Sequence, residues 1–169
     1  GRAARDCRRC VLWEPATQVV FGTGPALARV MIVGEQPGDQ EDLSGRPFVG
    51  AAGKLLDRAL DVVGLDRSVL YLTNAVKHFR YEQRGKVRMH KNPSAGHVQA
   101  CKPWLLGEIA SVRPQMIVCL GAMAARAVFG TDIRLMQERG RWRLLDNGVH
   151  AFATVHPSWV LRQAGHERV

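Results

Sequence analysis

The sequence predicts an α/β fold, a three-layer α/β/α domain around a central, mostly parallel four-stranded sheet. Three observations predict it. Four short runs are apolar or β-branched nearly throughout, as strands covered on both faces require. Segments of helical periodicity lie between them, and strand alternating with helix implies right-handed crossovers. With 169 residues, 46% of them hydrophobic, the chain is long enough for one core, so 1–169 reads as a single domain.

The first strand is Ala28-Arg-Val-Met-Ile-Val33, ending at Gly34, and a glycine-rich loop follows. A helix over 51–63 places Leu55, Leu56, Ala59, Leu60 and Val63 on one stripe. Val69–Asn74 is the second strand, and residues at about 80–94 form a basic inserted loop, longer and more polar than a tight connection. Ser94–Val112 and Ala122–Phe129 are helices on either side of the third strand, Met116–Leu120, and His150–Val155 is the fourth. Ligands of such sheets bind beyond the carboxyl ends of the strands, which here carry Glu35-Gln36, Asn74, Gly121 and His156.

The formal charge of +9, from 24 Lys and Arg against 15 Asp and Glu, favours a polyanionic partner. The excess is local: Arg80, Arg84, Lys86, Arg88 and Lys91 face the single acid Glu82, as a phosphate-contacting segment would. No apolar run is long enough to cross a bilayer, and the first residues lack the apolar segment of a secretory signal. A soluble, cytoplasmic, monomeric protein with no membrane partner is expected, and whether the two ends are truncated is left open.

Four constellations carry chemistry. Gly34-Glu-Gln-Pro-Gly-Asp-Gln-Glu-Asp42 lacks the glycine spacing and lysine of phosphate-binding loops, and its acids would repel phosphate, so it suits chemistry at a carboxylate. His156-Pro157-Ser158 follows the fourth strand on the same rim as Glu35; taken alone, it equally suits a structural histidine. Cys7-x-x-Cys10, with Cys101 and His78, is a metal or cluster signal, whereas Cys119 lies inside an apolar strand and reads as core. In Arg88-Met-His-Lys-Asn-Pro-Ser94, cations beside His90 would lower its pKa and keep the imidazole neutral and nucleophilic. By position alone, His90 is an exposed histidine in a phosphate-binding loop.

Together with Phe48 and Asn74, these motifs resemble the iron–sulfur branch of the uracil-DNA glycosylase superfamily, from Cys7 to about Arg162. Gly34-Glu-Gln-Pro-Gly38, Asn74-Ala-Val-Lys-His78 and the loop around His90 are most similar to the self-crosslinking X-type enzymes. The resemblance implies uracil-containing DNA as substrate, single-stranded by preference. It also implies a [4Fe–4S] cluster on Cys7, Cys10, His78 and Cys101, with zinc on the same ligands as the alternative. Phe48 would stack on the flipped base, Asn74 would pair with the uracil edge, and His156 would donate to the leaving base. Glu35 would stabilise the oxocarbenium-like sugar and help to deprotonate His90, and His90 would attack C1′ and stay attached. Gln36 would sit at the pocket wall; Gly34 and Asp39 join the substrate-binding group, and Arg88, Lys91, Ser94 and Ser158 the DNA contacts. The alternatives are a conventional glycosylase that releases uracil and leaves an abasic site, and a non-catalytic nucleic-acid-binding module. His97, His150 and His166 read as structural or surface residues, and Trp13, Trp104, Trp142 and Trp159 as packing groups.

Overall fold

The computed structural model describes residues 2–166, with side chains from 4 to 163. In chain order the elements are α1 (Arg2–Arg5), β1 (Val30–Gly34), α2 (Asp39–Ser44), α3 (Ala51–Val62), β2 (Leu70–Asn74), β3 (Tyr81–Arg84) and β4 (Val87–His90). Then follow α4 (Ala95–Val112), β5 (Met116–Leu120), α5 (Ala122–Phe129), α6 (Leu135–Glu138), β6 (Arg143–Leu144), β7 (His150–Thr154) and α7 (Pro157–His166). The side chain of His166 lies outside the described residues.

The main sheet runs β2-β1-β5-β7-β6. The four strands expected from sequence are its parallel members, and β6 adds a fifth, antiparallel to β7 at the edge. Two exposed residues, Arg143 and Leu144, make up β6, too few to leave any periodic signal. Alternate residues of each central strand enter opposite layers: Met31, Val33, Ile117, Cys119, Ala151 and Ala153 pack with α4 and α5, while Ile32, Leu70, Leu72 and Leu120 pack with Phe48 and α3. Each such large aliphatic group contributes roughly 1.5–3 kcal/mol on full burial. The apolar stripe of α3 is narrower than its periodicity suggests. Leu56 and Leu60 are buried, but Ala59 is exposed within the helix, and Val63, beyond its end at Val62, is exposed as well.

The basic insertion is a two-stranded hairpin, β3 against β4, with Tyr81 opposite His90 and Arg84 opposite Val87. Below β2, Lys77 is 1% exposed and donates to Thr73 Oγ1 (2.7 Å), to the Asn74 carbonyl (2.6 Å) and to Glu108. A buried ammonium requires such a complete set of acceptors. Of the tryptophans, Trp104 packs edge-on to Phe21, and Trp142 packs on Phe152. Trp13, Trp142 and Trp159 remain exposed, so they cover surface rather than fill the core. No described helix is long and apolar enough to cross a membrane.

Candidate active site

β1 pairs with β2 on one side and β5 on the other, so the strand order reverses at its carboxyl end. This is where open α/β sheets place ligands. A cavity of about 760 Å³ opens there, lined among others by Glu35 and Gln36 after β1, Asn74 ending β2, Phe48 before α3, His90 ending β4, and His156 after β7. Asp39, Ser158 and Arg162 also line it. Of the residues placed at strand ends by sequence, Glu35, Gln36, Asn74 and His156 therefore converge on one pocket, and Gly121 does not line it.

Gly34 permits the convergence: a Cβ there would collide with Asn74 Oδ1 and lie 2.7 Å from Phe48 Cζ. The Phe48 ring lies nearly parallel to the His156 imidazole, 6.4 Å between centroids and 27° between planes. The Ser158 amide donates to His156 Nδ1 at 3.1 Å. That bond leaves the proton of the neutral ring on Nε2. Burial, with help from His90 and Arg162, pushes His156 down to about 4, so at neutral pH it is an uncharged N–H donor.

The acidic loop divides its labour. Glu41 accepts from the backbone amides of Gly38, Val49 (3.2 Å) and Gly50 (3.0 Å), and buried Asp42 accepts from Thr17 N and Arg88. Those two carboxylates hold the loop together. Glu35 is different: its Oε1 is buried without a hydrogen-bond partner among the described residues. Burial raises its pKa above the usual carboxylate value, and the cation of Arg162 opposes the rise. A buried acceptor without a donor suits a group that meets positive charge only when substrate is present.

His90 Nε2 is 4.0 Å from Glu35 Oε1 and 2.9 Å from Gln36 Nε2. The Gln36 amide nitrogen can only donate, which favours the tautomer with its lone pair on Nε2 and its proton on Nδ1. Gln36 does more than form the pocket wall. Its Oε1 accepts from the Arg80 amide at 3.1 Å, and its Nε2 also lies within bonding distance of the Arg80 and Lys91 carbonyls, so it fastens the hairpin base to β1. The His90 pKa is lowered as expected, but the cause differs. Partial burial comes first, the side chain being still 48% exposed, and Arg162 second, because Arg88 and Lys91 are matched by carboxylates of their own.

Of the expected DNA contacts, Ser158 lines the pocket, and the other three are engaged within the protein. Arg88 bonds Asp39 and Asp42, each at 2.6 Å, and lies over the rings of Phe79 and Tyr81; Lys91 pairs with Glu82 at 2.6 Å. Ser94 caps α4 through the His97 amide. Sequence reasoning missed Arg162, although its i, i+4 spacing from Ser158 on a helix puts both on one face.

Cys7, Cys10 and Cys101 are free thiols, and Cys7 and Cys101 are buried. Among the described residues, no three potential ligands form a ready metal site. Their chemistry nevertheless fits one. Cys7 and Cys10 each disfavour the Cys101 thiolate, which burial already pushes up to about 11, so the three sulfurs share one locality that a cation would relieve. Trp104 donates its indole N–H to the Cys7 sulfur, and Arg9 donates to the Ala100 carbonyl on α4, tying the N-terminal segment to that helix. His78 is buried and its pKa lowered, chiefly by burial, leaving a neutral imidazole as ligation requires. Cys119 is core, pushed up to about 12 by burial.

A family model for the uracil DNA glycosylase superfamily matches residues 21–168, and the chain belongs to that superfamily. A type-4 uracil-DNA glycosylase of Archaeoglobus fulgidus is 40% identical over 170 residues, 95% of this chain and 80% of its own. Type-4 enzymes of Thermotoga maritima and Saccharolobus solfataricus are 35% and 33% identical, covering 96% and 93% of this chain and 82% and 73% of theirs.

Proposed function

We propose that this protein excises uracil from DNA and that His90 then becomes joined to the sugar that has lost its base. Excision rests on the superfamily and the type-4 relatives. The observation that carries the second step is His90 Nε2, 4.0 Å from Glu35 Oε1 in the pocket shared with Asn74, Phe48 and His156.

In this reading Phe48 stacks on the extruded base, and the Asn74 amide pairs with the uracil edge, where cytosine would present a mismatched amino group. As the bond between C1′ and N1 breaks, the base leaves with the electron pair and His156 Nε2–H stabilises the growing charge on O2. The Glu35 carboxylate stabilises the cationic sugar. The lone pair on His90 Nε2 bonds to C1′, giving an imidazolium that loses its Nδ1 proton, while the uracil anion takes up a proton. Cys7, Cys10, His78 and Cys101 would hold a [4Fe–4S] cluster, or zinc, that ties the N-terminal segment to α4; visible absorption of an anaerobic preparation decides between them.

Release of uracil with water as the nucleophile is the second reading, favoured by the type-4 names of the relatives. One denaturing gel on uracil-containing single-stranded DNA separates them. The first predicts a heat-stable shifted band that His90→Ser abolishes while uracil is still released, and the second predicts no shifted band for either protein.

A further inference from the structure

We propose that Arg67 is a positioning residue that sets the Phe48 ring through the Phe48 carbonyl; the inference rests on Phe48 being the base-stacking residue. Phe48 has φ 56°, a left-handed conformation that a bulky side chain adopts only when its surroundings impose it. It lies between α2 and α3, outside any ladder of backbone hydrogen bonds. Glu41 holds the amides that follow it, those of Val49 and Gly50, and a fork holds its carbonyl. Arg67 Nη2 donates to the carbonyls of Phe48 (2.9 Å) and Pro47 (3.2 Å), and Nη1 donates to Asp57 Oδ1 (2.5 Å) on α3.

Gly53 leaves room for the same carbonyl, since a Cβ there would collide with the Phe48 oxygen and lie 2.9 Å from its Cα. The guanidinium therefore bridges three segments: α3, the turn before β2, and the strained turn. A planar group with several fixed donors can do this, and a lysine could satisfy only part of it. Neither Arg67 nor Asp57 lines the pocket, so an effect on excision has to pass through the turn they hold. The ring that this turn presents is the one facing His156 and resting on Gly34.

The test is a double-mutant cycle on the full chain, read as single-turnover excision from a uracil-containing oligonucleotide, with melting temperature measured in parallel. Arg67→Gln is expected to slow excision roughly ten- to a hundredfold, as an ångström-scale misplacement does. Arg67→Lys should recover part of the loss. The Arg67→Gln, Phe48→Ala double variant should be no slower than Phe48→Ala alone, because both act through one ring. The pH profile should keep its shape, since Arg67 touches neither Glu35 nor the histidines. Losses that multiply in the double variant, or a wild-type rate for Arg67→Gln beside a slow Phe48→Ala, overturn the clamp. A wild-type rate for Phe48→Ala overturns the stacking role instead. If Arg67→Gln does not fold, Asp57→Asn, which loosens the fork from α3, enters the same cycle with the same criteria.

Discussion

Arg162 lines the pocket from α7, where its positive charge lowers the pKa of Glu35, His90 and His156 together. The proposed chemistry needs Glu35 ionised and His90 neutral, so both requirements fail on the acid side. His90 gains its proton only below its ordinary value of 6.5, and Glu35 gains its own above 4.5. Adduct formation therefore falls on acidification. Arg162→Gln removes the charge that lowers all three groups, so the acid limb moves to higher pH in single-turnover rates measured across pH; an unmoved limb would sink the assignment. Glu35→Gln should slow excision by about 10²–10³, the loss typical of removing one preorganised electrostatic partner. Glu35, Asn74 and His156 were legible in the sequence because strand ends are where such sheets bind ligands. The Arg67 fork was not, because its Phe48 and Pro47 partners lie about twenty residues away and leave no spacing signature.

At the scale of elements, the hairpin of β3 and β4 delivers His90, and Arg88 holds the hairpin down. Its side chain is 16% exposed and bridges Asp39 and fully buried Asp42. Arg88→Ala would leave Asp42 buried without its cation and should cost about 3–5 kcal/mol of stability, measurable by denaturant unfolding. The freed hairpin should also separate the two activities: yield of covalent adduct falls more than release of uracil. Equal losses would mean that the hairpin does not govern the position of His90. The hairpin hid in the sequence because each strand is only four residues long and the apolar side chains of the second, Val87 and Met89, are exposed rather than set against the core. Helices α3, α4 and α5 were legible almost to the residue; α3 and α5 carry the one-sided apolar stripe of helices that cover a sheet, whereas α4 is long and apolar with little such stripe.

Over the whole molecule, the sheet gathers residues from positions 35 to 162 at one rim, while the cysteine locality joins the N-terminal segment to α4. The layered order of the fold could be read from four buried strands, and within the main sheet the strand count fell short only at the exposed edge. Cys101→Ser should lower the melting temperature and abolish visible absorption of an anaerobic preparation; a fully stable, colourless wild-type protein would contradict the cluster and favour zinc. The most direct test of the central claim is to digest the protein with trypsin after reaction with uracil-containing DNA and map the modified peptide by mass spectrometry. The account predicts a sugar adduct on Met89-His90-Lys91, localised to the imidazole. Complete release of uracil with that peptide unmodified, or attachment at another residue, would contradict it.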